Sequence, residues 1–190
     1  MYLSETGNLA DGKETGSVNN IILIGMPGVG KSSIGVILAK ELGMQFLDSD
    51  LLIQQKEKRL LREILEQDGV DGFLRIEEEV NASIEAERAV IATGGSAVYS
   101  EKAMRHLREI GTVVYLKLEY ESLSHRLGNL HNRGVVLRDG QTLWDLYEER
   151  AALYEKYADF IVDEADKDME ETLAAVIRML KMAREGASNT

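Results

Sequence analysis

The chain has 190 residues, with 33 acidic against 22 basic side chains for a net charge of −11, 44% apolar residues and no cysteine. Its length suits one domain with a buried core. The charge argues against a nucleic-acid partner, which needs a basic face, and the lack of cysteine excludes disulfides, thiol catalysis and cysteine-bound zinc. No apolar run approaches the ~18 residues of a membrane span, and the N-terminus has no basic segment leading into an apolar one. The expected setting is the cytoplasm, with no membrane partner.

Residues 1–19 are polar and glycine-containing without periodicity and read as a disordered tail, leaving 20–190 as the domain. Ile21 to Ile24 form a short β-branched run broken by Gly25, the pattern of a strand buried on both faces of a parallel sheet. Lys31 to Leu42 place Ile34, Ile37, Leu38 and Leu42 on one helical face, and Gly43 ends that helix. Gln45 to Leu47 predict a second strand. Helical patterns follow over 51–66 and 70–88, with a break at Asp68-Gly69. Ala89 to Ala92 predict a third strand running into Thr93-Gly94-Gly95. A helix over 101–109, a strand over 112–118 and a helix over 120–127 lead to a polar, glycine-dotted stretch at 128–140. A helix over 142–157, a last strand at 160–162 and a closing helix over 169–183 complete the chain. Strands alternating with helices predict an α/β fold: three α/β/α layers around a five-stranded parallel sheet, with ligands at the carboxyl ends of the strands.

Gly25-Met26-Pro27-Gly28-Val29-Gly30-Lys31-Ser32 fits G-x-x-x-x-G-K-[ST] without a gap. Glycines allow the backbone to turn and bring amides close to phosphate oxygens. The following helix adds its N-terminal dipole. Lys31 offers a charge to the β and γ phosphates, and Ser32 offers a hydroxyl to magnesium. The positive potential missing from the chain as a whole is supplied locally. The position between a buried strand and an amphipathic helix supports a phosphate cradle over a chance glycine turn, and it implies ATP and Mg2+.

After the second strand, Asp48 and Asp50 lie two apart, so alternation places both on one side if the strand continues. One could hold a magnesium-bound water and the other could accept a proton from an attacking hydroxyl. The same segment also reads as an ordinary helix cap before Leu51-Leu52. Spacing leaves both readings open.

Taken together, these residues resemble the shikimate kinases, a branch of the nucleoside-monophosphate-kinase-like P-loop enzymes. Asp48-Ser49-Asp50 matches the family's D-[ST]-D, and Phe73-Leu74-Arg75-Ile76-Glu77 resembles its F-R-x-x-E. Thr93 to Ser96 resemble its G-G-G, Asn132 to Val136 its R-P-L-L lid, and Glu149 to Tyr154 its R-x-P-L-Y. The resemblance implies a P-loop kinase fold with a mobile lid over about 128–140, acting as a monomer on a small hydroxylated metabolite. Shikimate, giving shikimate 3-phosphate, is the family's acceptor. It implies that Gly28, Val29, Gly30, Lys31, Ser32 and Ser33 hold the nucleotide and that Arg126 packs on adenine. Ser32 and Asp48 would serve the metal. Lys31, Asp50 and Arg133 would carry catalysis, and Asp50, Leu74, Glu77, Gly94, Gly95, Ser96 and Arg150 would line the acceptor site, the two glycines lending backbone amides.

Departures gather on the acceptor side. The arginine that pairs with shikimate's carboxylate in the family is Leu74 here, Arg75 lies about 100° away on the helix, and Ser96 replaces a glycine. Alternatives are therefore a kinase of another hydroxylated metabolite such as homoserine, whose ammonium could face Glu77, a nucleotide-binding module without catalysis, and an adenylate-type nucleotide kinase. Retention of Lys31, Ser32, Asp48, Asp50 and Arg133 argues against the module. His106, His125 and His131 show no ligand spacing.

Overall fold

Strand β1 (Asn20–Ile24) is buried at all five residues. Successive strand residues point to opposite faces, so both faces of the sheet are covered at its centre. Around it lie β2 (Gln45–Asp48), β3 (Ala89–Ala92), β4 (Thr112–Lys117) and β5 (Phe160–Asp163), all parallel in the order β2-β3-β1-β4-β5. The outer strands β2 and β5 are only partly covered, as their more polar sequences allow. In this computed structural model the described residues are 20–127, 138, 140–165 and 167–187. The expected tail at 1–19, most of the expected lid and Arg133 lie outside them.

The helices are α1 (Lys31–Leu42), α2 (Ser49–Glu57), α3 (Leu61–Asn81), α4 (Glu101–Ile110), α5 (Tyr120–Leu127), α6 (Leu143–Tyr157) and α7 (Met169–Ala187). Helix α1 packs beside α7, while α4 and α6 pack on β4. The main core runs from the β1 isoleucines through Val113, Val114 and Leu116 to Leu146 and Val176. A smaller core of Ile53, Ile64, Phe73 and Val80 joins α2 to α3. Among the described residues no helix is long and apolar enough to cross a membrane.

Several boundaries differ from the pattern read in the sequence. The helix after β2 breaks at Lys58, which turns left-handed (φ 57), and Gly69 (φ 68) is a kink inside α3. Arg59 ties the break together by pairing with Glu57 at 2.9 Å and Asp68 at 2.7 Å. Glu63 accepts the Leu60 amide at 2.7 Å, which starts α3. That helix stops at Asn81 rather than Arg88. Its last turn is closed by Asn81 Nδ2 donating to Glu77 O and Ser83 Oγ donating to Val80 O. A 3-10 turn at Ala97–Tyr99, absent from the sequence reading, follows Ser96.

Candidate active site

The loop between β1 and α1 turns through Gly25 (φ 147), Gly28 (φ 84) and Gly30 (φ 101), conformations that favour glycine. Gly25 is also fixed by space: a Cβ there would lie 2.6 Å from Leu116 O at the end of β4. Helix α1 begins at Lys31 with its N-terminus open to the loop. Lys31 is buried, and its Nζ donates to Gly25 O at 2.8 Å and Met26 O at 2.9 Å. Burial pulls its pKa down to about 8, with Asp50 holding it up and Arg150 pulling the same way as burial. The Val29 side chain belongs to the core, so any part it takes in nucleotide binding is through its backbone.

Ser32 Oγ donates to Asp48 Oδ2 at 2.6 Å. The other oxygen of that carboxylate accepts the amides of Asp50 (3.0 Å) and Leu51 (3.4 Å), capping α2. The cap reading is realised in this side chain, whose second oxygen also reaches the hydroxyl of the phosphate loop. A hydroxyl and a carboxylate side by side at a phosphate loop are hard oxygen donors of the kind magnesium takes.

A cavity of about 350 Å³ opens beside this loop. Gly28, Gly30, Lys31, Ser32 and Ser33 line one side, and Asp50, Glu77, Gly94, Gly95, Ser96 and Arg150 the other. These come from α1, α2, α3, the loop after β3, and α6, all at the carboxyl end of the sheet. The Asp50 pKa is raised by burial and by the Asp48 charge, with Lys31 opposing. Glu77 is 1% exposed, and burial pushes its pKa up to about 7 against the pull of the Ser96 hydroxyl.

Arg150 is only 2% exposed. Its Nε donates to Tyr99 Oη at 3.2 Å, and its guanidinium lies 5.1 Å from the centre of the Tyr99 ring. Among the described residues no carboxylate lies within ion-pair distance of it. A buried guanidinium without an anion, in the wall of a cavity, is a ready anion site.

The two glycines after β3 differ. The Gly94 amide is already donated to Ser49 Oγ at 2.9 Å. Ser49 is wholly buried and accepts that amide proton, so of the two glycines expected to lend amides to the acceptor Gly94 has its amide already engaged. Gly94 still matters for space: a side chain there would collide with Glu77 Oε1 and Asp50 Oδ1. Gly95 packs under Pro27, whose Cδ would be 2.7 Å from an added Cβ, and its carbonyl accepts the Tyr154 hydroxyl at 2.6 Å.

Other expected residues lie elsewhere. Leu74 is half-buried and lines a neighbouring cavity of about 360 Å³ with Arg75, Tyr99 and Arg138. Glu77 and Ser96 form the wall the two cavities share. Arg126 lies across the phosphate loop, over the β4–β5 end of the sheet, paired with Glu164 at 3.2 Å. Glu164 is 2% exposed, with burial raising its pKa. The sequence reading missed Ser49, Tyr99, Tyr154 and Glu164. Ser49 and Tyr154 sat inside motifs already singled out; Tyr99 and Glu164 carried no local signal.

The family model for shikimate kinase matches residues 27–181. A shikimate kinase of Aliivibrio salmonicida is 36% identical over 166 residues, covering 85% of this chain and 96% of its own length. One of Thiobacillus denitrificans is 37% identical over 166 residues, covering 85% and 88%. Among solved structures, a shikimate kinase from Acinetobacter baumannii in complex with shikimate superposes with a TM-score of 0.76 at 32% identity, covering 90% of this chain and 97% of that one. A gluconokinase from Sinorhizobium meliloti shares the fold alone, with a TM-score of 0.52 at 22% identity. A phosphate loop, a carboxylate pair and a buried arginine around one cavity thus accompany a match over most of the chain's length, and the chain belongs to the shikimate kinase family.

Proposed function

We propose that this enzyme, a small-molecule kinase that uses ATP, transfers the γ-phosphate to a hydroxyl of shikimate, giving shikimate 3-phosphate. The observation that carries the choice of acceptor is Arg150: a buried guanidinium without a carboxylate partner, in the same cavity as Lys31 and Asp50. It would hold the acceptor's carboxylate. Asp50 would take the proton of the attacking hydroxyl as its oxygen bonds to the γ-phosphorus and the bond from that phosphorus to ADP breaks.

On the nucleotide side, Lys31 would leave its two loop carbonyls for the β and γ phosphates. The amides at the start of α1 would receive their oxygens. Ser32 and Asp48 would hold Mg2+, which when bound neutralises phosphate charge. The adenine would lie over β4 and β5 beside Arg126, since the acceptor residues occupy the β2–β3 side of the phosphate loop. Arg133, outside the described residues, would add charge at the transferring phosphate.

One observation favours a second acceptor. Glu77 Oε1 has no hydrogen-bond partner among the described residues, and the ammonium of a hydroxy amino acid such as homoserine would supply one. A coupled ADP-release assay with ATP and magnesium decides, run against shikimate, homoserine, gluconate and nucleoside monophosphates. Shikimate turnover well above the others is expected. Turnover of homoserine in its place would overturn the assignment, and ADP release with none of them would point to a nucleotide-binding module.

A further inference from the structure

Glu77 stands in the wall between the two cavities with its side chain buried. Its Oε1 has no hydrogen-bond partner, and no lysine or arginine lies within ion-pair distance, among the described residues. The charged and polar groups that act on it are Asp50 on α2, Arg150 on α6, Lys31 on α1 and Ser96 in the loop after β3, and Tyr99 and Arg138 line the second cavity that it walls. On its own helix, Leu74 one turn earlier is apolar, Arg75 is exposed, and Glu78 is engaged by Ser100 Oγ.

Asp50 Oδ1 and Glu77 Oε1 both border the space that a Cβ on Gly94 would fill. Two carboxyl groups at one buried point do not both ionise readily. Of the carboxylates around Lys31, Asp50 acts on it most strongly, so Asp50 is the better compensated of the two, although burial and Asp48 still raise its pKa. Among the described residues Glu77 pairs with no cation, Arg150 and Lys31 acting on it only at a distance, and a buried carboxyl in that position holds its proton more tightly.

Resting on the reading of this cavity as the acceptor site, we propose that Glu77 works as a neutral carboxylic acid that donates a hydrogen bond to the acceptor, and that loss of its proton in alkaline solution weakens acceptor capture. Ionised, Glu77 has no proton to donate and adds a second negative charge beside Asp50, close to where the acceptor's own carboxylate must approach Arg150. Burial, reinforced by Asp50 and opposed by Ser96 and Arg150, places the change near pH 7. Lys31 releases its proton about one unit higher and acts on the nucleotide, so its titration appears in the KM for ATP.

Two measurements test this. The side-chain carboxyl carbons of 13C-glutamate-labelled protein, followed without ligands, should contain one resonance that titrates near neutrality and disappears in Glu77→Gln. At saturating ATP, kcat/KM for shikimate should fall by about tenfold per unit above pH 7, with the fall in KM rather than kcat. Glu77→Gln should abolish that fall. Leu74→Arg, which brings a guanidinium one helical turn from Glu77, should move the carbon titration well below neutrality.

A Glu77 resonance in the ordinary carboxylate range overturns the proposal and favours an ammonium-bearing acceptor. An alkaline fall in shikimate kcat/KM that persists in Glu77→Gln also overturns it. The carbon measurement needs no acceptor. Titration near neutrality in a protein that ignores shikimate therefore supports the neutral carboxyl and rejects only the acceptor assignment.

Discussion

The Ser32 hydroxyl donates to Asp48 Oδ2 at 2.6 Å while Oδ1 of the same carboxylate caps α2. One residue therefore ties the phosphate loop to the helix that carries Asp50. Asparagine caps a helix about as well as aspartate, so Asp48→Asn separates the two roles. Thermal unfolding should change little. The kcat/KM for ATP should fall about ten- to hundredfold, and the magnesium concentration for half-maximal activity should rise. A lowered unfolding midpoint with an unchanged magnesium requirement would leave Asp48 as a cap and nothing more.

Lys31 spends its charge, without nucleotide, on two carbonyls of its own loop. Lys31→Ala should fold, because those carbonyls lie beside an open cavity, but kcat should drop by about 10²–10³-fold through loss of charge at the transferring phosphate. A lysine loses its charge as pH rises through its pKa. In the free protein that happens near pH 8, so the KM for ATP should climb above that pH. Substantial residual kcat in Lys31→Ala would sink the assigned role.

Much of this was legible in the sequence because it is local. Each strand is a short apolar run, and Gly25 to Ser32 carry their chemistry in consecutive residues. The proposed acceptor wall is not local: Asp50, Glu77, Gly95 and Arg150 meet only because β2-β3-β1-β4-β5 brings their connections to one edge, and no periodicity states that order. The capture of the Gly94 amide by Ser49 was hidden for the same reason. The helix break at Lys58 was missed because a left-handed lysine leaves no glycine to mark it, whereas Gly69 marked what proved to be a kink. Asp48 shows a different limit: the motif was visible, but only coordinates show that its two oxygens do two jobs.

Tyr154 reads in the sequence as the end of the Glu149–Tyr154 motif, yet its hydroxyl donates to the Gly95 carbonyl at 2.6 Å on the loop that lines the proposed acceptor cavity. Tyr154→Phe keeps the ring, which stacks 5.0 Å from Tyr115, and removes that bond together with a weaker one to Met26 Sδ at 3.8 Å. It should lose about 1 kcal/mol of stability by leaving a partly buried carbonyl unpaired. The KM for the acceptor should rise while that for ATP holds. Equal changes in both KM values would mean that the hydroxyl supports the fold in general.

Arg150 should show the opposite balance of stability and binding. Arg150→Lys keeps a positive charge but loses the planar fork that grips a carboxylate. One charge-assisted hydrogen bond is worth about 1.5–3 kcal/mol, so the KM for shikimate should rise about ten- to hundredfold with the KM for ATP unchanged. An unchanged shikimate KM would exclude Arg150 as the carboxylate contact.

The buried carboxyl of Glu77 also has a consequence for stability. Its pKa is raised from 4.5 to about 7 by burial, so the unfolded chain releases this proton before the folded one does. Below the unfolded value the two states hold the same proton and the group contributes nothing. As pH rises toward 7, unfolding is increasingly favoured, and by neutral pH the cost reaches about 3 kcal/mol. Glu77→Gln removes the titration. The stability of the variant relative to the parent should therefore improve steadily between about pH 5 and pH 7 and level off above that, as read from urea unfolding at a series of pH values. A stability difference independent of pH would mean that Glu77 ionises in the folded protein much as it does in the unfolded chain.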